Sequence, residues 1–520
     1  MRNKLLKFLK ILLGTIVFVF LVILLGIYWP MPELKPPAKH NTVIIKSINI
    51  IDVKSGNILE NRNVLIKENR IQKIDSLEIS NKDFNSLIIN GRNKYLIPGL
   101  WDMHTHSNQH SEWLHHPLYI ANGVTGVRDM SGQLNKRDSY WVGSKERLQW
   151  NKELEANTRV SPRYVLQSSY QMDGASAIPS GFPDFFKLEN PSDVNALLQF
   201  YKNEQVDFIK IYQQIPPKSY KQLAYSTPKY GLHFAGHKPM FVSLEEAILL
   251  GQRSFEHGRI FMFESFPGAD SLRTSINWKS FYSKSKKSMV KDFDTQTAKK
   301  LMKLMQKHNA YWVPTLQTLK FEANAHDTSF IENPNLKYIT SIRKNLWWGF
   351  DVKNNAKKNL SEEHKGLNTN FYDLSRKQVE MANTIGVPIM TGTDVTDSYI
   401  FAGFSIHDEL KDLTNSGLSN LEALQSSTII SAKFAEMDKD YGSIEEGKVA
   451  DLVILNNNPL AKITNSRAIN GVLINSVYYD KDKIKELKDF TESISSKFHM
   501  NIKVLYSFLN SPLIRVQFAD

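Results

Sequence analysis

Residues 96–106 read LIPGLWDMHTH. An apolar run ends on two histidines separated by one residue. On a strand, residues two apart face the same way, so His104 and His106 would present two imidazoles to one side. Two imidazoles at the C-terminal end of a strand are half of a metal site. An isolated H-x-H also arises for purely structural reasons, so its company in the chain matters.

Working outward, strand-like runs recur with helical stretches between them: GVTGVRDM (123–130), RYVLQSS (163–169), DFIKIY (207–212), LHFAGHK (232–238), SFEHG (254–258), YWVPTL (311–316) and VPIMTGTD (387–394). With the first, that makes eight. Strand and helix in alternation point to a parallel sheet, and eight units over residues 96–436 fit a (β/α)₈ TIM-like barrel with insertions. A doubly wound sheet is the rival, but it needs fewer strands. The long spacings 131–162 and 317–380 carry extra material. The second holds Trp347 and Trp348 and reads as a cap over the barrel mouth. The Lys- and Ser-rich stretch 279–307 reads as a solvated helix face.

Residues 42–95 and 437–484 read differently, with alternating strands punctuated by Gly and Asn. One small β-sandwich domain built from both chain ends explains the pair. Residues 485–520 form a C-terminal extension. At the other end, Ile11–Tyr28 is uncharged and apolar, long enough to cross a bilayer. Arg2, Lys4, Lys7 and Lys10 precede it. The positive-inside rule keeps that tip cytoplasmic and puts the rest of the chain outside. Residues 1–29 are therefore expected to be a cytoplasmic tip and a single transmembrane anchor. Residues 30–41, rich in proline, form a stiff linker. A cleaved signal peptide has a shorter apolar core and a small-residue cleavage site; here the segment runs straight into Trp29 and Pro30.

The formal net charge is +12, part of it in the basic tip, and it gives no reason to expect nucleic acid as a partner. The absence of Cys excludes disulfides, a thiol nucleophile and thiolate metal sites.

The other strand ends carry metal-ligand chemistry. Lys210 sits inside the apolar run DFIKIY, where burial favours a neutral amine. Such an amine can add carbon dioxide and become an anionic carbamate that bridges two metals; an ion pair with Asp394 is the plainer alternative. His237, His257 and Asp394 end their runs, and Gly392 beside Asp394 permits close approach. Each histidine alone is readily a satisfied core residue. Six ligand-type residues at six strand ends are a poor coincidence. His233 faces as His237 does but lies some 13 Å lower on the strand. His110, His115 and His116 are expected in a loop, at the surface or against substrate. His407, in a helical pattern, is expected to pack or cap.

Together LIPGLWDMHTH, GVTGVRDM, DFIKIY, AGHKP with VSLEEAILLGQRSFEH, TGTD and GSIEEGKVADLVILNNNPL resemble the metal-dependent amidohydrolase superfamily, in its imidazolonepropionase-like and Xaa-Pro dipeptidase-like branch. The resemblance spans about residues 43–480. It implies a distorted barrel with a small β-sandwich and one or two divalent ions, usually zinc. Carried over by position, His104, His106 and Asp394 would hold the more buried ion, His237 and His257 the second, and carbamylated Lys210 would bridge both. It implies hydrolysis of a C–N bond in a small molecule, dipeptide or cyclic amide, with Asp394 moving the proton. Tyr212 would steady the oxyanion or merely pack at the mouth. Arg128 would hold a substrate carboxylate or pair with Asp129. A lactonase or esterase on the same metals, and a catalytically silent binding protein, are the competing readings.

Overall fold

The computed structural model describes residues 2–77, 79 and 86–519. Residues 78 and 80–85 of the first strand-rich stretch lie outside the described residues.

That stretch forms strands β1 (Thr42–Ile51), β2 (Ile58–Lys67), β3 (Arg70–Asp75), β4 (Leu87–Asn90) and β5 (Tyr95–Pro98). The barrel wall follows as β6 (Leu100–Thr105), β7 (Val124–Asp129), β8 (Arg163–Gln167), β9 (Phe208–Ile211), β10 (His233–Gly236), β11 (Ser254–Glu256) and β12 (Tyr311–Val313). Three more strands, β13 (Leu452–Leu455), β14 (Ile469–Ile474) and β15 (Val477–Tyr479), come late in the chain.

The wall is all parallel, in two pieces: β6-β7-β8 and β9-β10-β11-β12. Parallel bridges Ser168–Phe208 and Met172–Ile211 join β8 to β9. The eighth segment, expected at 387–394, bridges β12 through Trp312–Ile389 and β6 through Thr105–Val395. Eight parallel segments thus follow one another around a TIM-like ring. The eighth is not a regular strand. Pro388 has no N–H to give a ladder. Thr393 turns its amide and hydroxyl to the Asp102 carboxylate at 3.0 and 2.6 Å.

The sheet made from both chain ends is one continuous sheet of eight strands, ordered β15-β14-β13-β5-β1-β2-β3 with β4 also on β1. It is not divided into the two hydrogen-bonded sheets that a sandwich suggests. β1 carries the difference: its register shifts between Ile45 and Ile48 and again before Ile50. It pairs β4 along Val43–Lys46 and β5 at Asn49–Ile50. Irregularities of this kind bend a strand, and Val43, Ile45, Val64, Ile66, Leu452 and Ile454 fill the core so formed.

The helix Arg2–Tyr28 leaves almost all its side chains exposed and packs only through its last turns. There Ile502 meets Gly26, and the Lys503 ammonium donates to the Ile27 carbonyl. Residues 481–519 form three helices that turn back over the barrel: Lys481–Ser496, Phe498–Asn510 and Pro512–Ala519. Ser511 Oγ bonds the Asp138 carboxylate at 2.9 Å and Ser139 Oγ bonds the Ser507 carbonyl at 2.7 Å.

At Gly236, the last residue of β10, φ is +136° and a Cβ would lie 2.2 Å from the Ile211 carbonyl. Gly236→Ala should lower stability by about 2–4 kcal/mol, adding backbone strain to overpacking. A thermal midpoint equal to wild type would contradict this account of how β9 and β10 pack.

Candidate metal centre

The barrel mouth holds a cavity of about 340 Å³. Its lining includes His104, His106, Lys210, His237, His257 and Asp394, so all six residues expected from the sequence meet in one place. His104 and His106 flank the end of β6. Lys210 is on β9, His237 follows β10, and His257 follows β11.

Asp394 is the hub. Its Oδ1 lies 3.0 Å from His106 Nε2 and 3.3 Å from His104 Nε2, and its Oδ2 lies 3.4 Å from His257 Nδ1. Ligand atoms of His104, His257 and Asp394 all fall within 4.8 Å of one another. His257 Nε2 faces His237 Nε2 at 2.9 Å. The local sequence makes this approach possible. Asp394 has φ +68°, a conformation that Asp tolerates better than most residues. At Gly392 a Cβ would stand 2.8 Å from the His104 Cβ. Asp102, holding Thr393, fixes the segment from below; burial lifts its own carboxyl to about 6.

Beneath the histidines lies a charge arrangement that the sequence reading missed. Glu256 Oε2 accepts from His104 Nδ1 at 2.9 Å. The Arg128 guanidinium donates to both Glu256 oxygens at 2.9 and 2.8 Å and to Ser254 Oγ at 2.8 Å. Burial would raise the Glu256 carboxyl, but Arg128 and His104 hold it down at about 2. An ionised Glu256 accepts the hydrogen bond of His104 Nδ1–H, so in the neutral imidazole it is Nε2 that carries the lone pair. That nitrogen is buried, has no hydrogen-bond partner among the described residues, and faces the Asp394 carboxylate. A lone pair aimed at an anion across 3.3 Å is unfavourable unless a cation lies between them. His237 Nδ1 is likewise buried without a partner. The donor set therefore fits a divalent ion.

The protonation states agree. Burial pulls His106 down to about 4 and His257 to about 3, and it holds His237 well below the usual histidine range. These imidazoles are neutral at neutral pH, the form that binds metal. Burial would raise Asp394, but the surrounding His104, His106 and His257 rings, charged only at acidic pH, hold it well below the usual carboxylate range. Burial draws the Lys210 amine down to about 8, against Asp394 and Glu256. Among the described residues no carboxylate lies within ion-pair distance of it, so the ion pair with Asp394 is not formed.

Arg128 departs from expectation. It is fully buried, stacked between the rings of Phe208 and Phe434, and locked on Glu256. It cannot reach a substrate, and Asp129 pairs instead with Arg147 at 2.8 Å. The signal was present in the sequence: an Arg and a Glu, each inside an apolar barrel strand, can be buried only together. Tyr212 does line the cavity, its ring 4.1 Å from that of His237, and burial pushes its phenol up. Arg259, Trp141, Lys279 and Gln517 also line it, none of them singled out from the sequence.

The remaining histidines are structural. His110, His115 and His116 are buried rather than at the surface, bonded to Ser507, Ser111 and Tyr164. His407 packs as expected, between Ser466 Oγ and the Asn122 carbonyl. His233 opens β10, half-exposed, away from the cavity.

Residues 281–478 match the model of the amidohydrolase family. That segment is less than half of the chain. Among solved structures it is similar to a Xaa-Pro dipeptidase with bound methionine: 19% identity over 84% of this chain and 100% of that one, TM-score 0.59. A bottromycin amidohydrolase gives 19% identity over 88% and 91%, TM-score 0.66. A putative prolidase from Bifidobacterium longum gives 18% over 87% and 100%, TM-score 0.57. At these identities the likeness is one of fold. No curated protein matches the chain. The family match and these neighbours support a hydrolase acting on carbon–nitrogen bonds.

Arg128→Met would leave Glu256 a buried, unpaired charge and should destabilise the protein by about 3–5 kcal/mol. Thermal unfolding tests this. A wild-type midpoint combined with a raised KM would instead return Arg128 to substrate binding.

Proposed function

We propose that the protein is a membrane-anchored, metal-dependent amidohydrolase that cleaves the amide bond of a small peptide-like or cyclic-amide substrate. The observation that carries the reading is the set of four imidazoles, one carboxylate and one low-pKa lysine around a single cavity, with the His104 lone pair directed at Asp394. His104, His106 and Asp394 would hold one divalent ion, zinc by the donor set, and His237 and His257 a second. Lys210 as its carbamate would bridge them. Bound there, such ions supply Lewis acidity toward a carbonyl and make water acidic enough to attack near neutral pH.

The chain's own groups do the rest. Asp394 is held ionised, so it can take a proton from the attacking water and pass it to the leaving nitrogen. Tyr212, its phenol kept protonated by burial, can donate to the oxygen on which charge develops. Glu256 and Arg128 act on no substrate; they hold His104 in one tautomer.

The anchor rests on the helix Asn3–Tyr28, mean hydropathy 2.9, whose apolar side chains stand unpacked. By the positive-inside rule, the four basic residues before it support a barrel outside the cytoplasmic membrane. The domain bounds 42–95, 96–436 and 437–484 belong to the same proposal.

The test uses Asp394→Asn on a panel of dipeptides, including Xaa-Pro, together with hydantoins and lactones. Wild type should turn over an amide faster than any lactone. The variant should lose roughly 10²–10⁴ in rate and keep its histidine-bound metal. A loss under about tenfold on the best amide would assign the proton transfer to another group. Lactones turned over to the exclusion of amides would replace the reading with an esterase.

A further inference from the structure

Next to the metal cavity lies a second chamber of about 410 Å³. The two share Trp141, Arg259, Asp394, Thr396, Asp397 and Gln517, so they are continuous at the catalytic carboxylate. The second is walled by Phe321, Trp347, Trp348, Phe350, Phe508 and Ile514. Part of its polar lining is paired, mostly within the wall itself. Arg343 donates to the Thr396 carbonyl, Asp351 accepts from Ser398, and Glu322 pairs with Lys286 at 3.2 Å. One side of the space is aromatic, and the side shared with the metal cavity is polar, with Arg259, Asp394, Asp397 and Gln517.

Its walls come from two parts of the chain. Trp347, Trp348 and Phe350 belong to the insertion before the last barrel segment. Phe508, Ile514 and Gln517 belong to the C-terminal helices, beyond the matched family segment. Trp347 packs on Phe508 with ring centroids 3.8 Å apart, and Trp141 Nε1 donates to Gln517 Oε1 at 3.1 Å. The helix bearing Phe508 also grips the end of the apolar helix Arg2–Tyr28. Near the chamber, Phe350 is 64% exposed, with Leu346 and Leu509 exposed on the same elements. An aromatic chamber, joined to the hydrolytic carboxylate and roofed by the helix that holds the membrane segment, suits a substrate with one polar and one oily end.

We infer that the substrate is an amphipathic N-acyl amide whose apolar chain lies in this second chamber while its amide reaches Asp394. This rests on the amide-hydrolase reading above. Water adds to the amide carbon, the C–N bond breaks, and the nitrogen leaves as amine after taking a proton, giving a carboxylate with the apolar chain still attached. Each methylene moved from water into such a chamber is worth up to about fourfold in binding.

The experiment uses the full chain in lipid nanodiscs. With zinc added, kcat/KM is measured for N-acetyl-, N-butanoyl-, N-hexanoyl- and N-octanoyl-alanine. It should climb with chain length, and the octanoyl-to-acetyl ratio should fall at least about tenfold in Phe350→Asp and recover in Phe350→Leu. Phe350 is exposed enough for both variants to fold. Without metal, ω-bromo-octanoyl-alanine should quench tryptophan fluorescence saturably in wild type and more weakly in Phe350→Asp. Equal kcat/KM across the series, or a ratio unmoved by Phe350→Asp, overturns the inference and leaves the amide reading standing. Saturable quenching with no amide hydrolysed overturns the amide reading and, with it, this substrate.

Discussion

Arg128, Glu256 and His104 stand in a row under the barrel mouth, and the chemistry above them depends on that row. A guanidinium and a carboxylate taken out of water are held there only by each other. Their pairing keeps Glu256 ionised, and the ionised Glu256 fixes the proton of His104 on Nδ1. The lone pair on Nε2 is then committed to the cavity. Without the ion pair the imidazole could turn over its tautomers, and Nε2 would no longer be held ready for an ion. A second constraint works from the other side: Asp102 holds Thr393, and Thr393 sets the backbone of Asp394. Two buried carboxylates, neither in contact with the cavity, thus position the two groups at its centre.

The six residues that line the cavity were legible because they sit at strand ends. Period-two facing placed His104 with His106, and a lysine inside an apolar run announced Lys210 before any contact was known. The barrel was legible for the same reason, through the recurrence of short apolar runs. Other features were hidden. The eighth segment reads as a strand, but Pro388 and the Thr393–Asp102 bonds keep it irregular. Arg128 was read from its place at a strand end, as though it faced the mouth, whereas its charge partner lies on β11. His110, His115 and His116 read as loop residues at the surface. They are buried because the C-terminal helices and neighbouring loops cover them, and nothing local in the sequence shows what a distant segment will cover.

The C-terminal extension joins the parts of the molecule. It closes over the first barrel loops through Ser507 and Ser511, walls the aromatic chamber through Phe508 and Ile514, and receives the last turns of the apolar N-terminal helix. Its residues follow the matched family segment.

The central claim is that the cavity is a metal centre. Elemental analysis of the full chain, purified natively and without chelators, tests it most directly. The account predicts one or two divalent ions per chain, with the first lost when His104 and His106 are both replaced by Ala. Metal-free protein with full amide-hydrolysing activity, or metal content unchanged in that double variant, would contradict it.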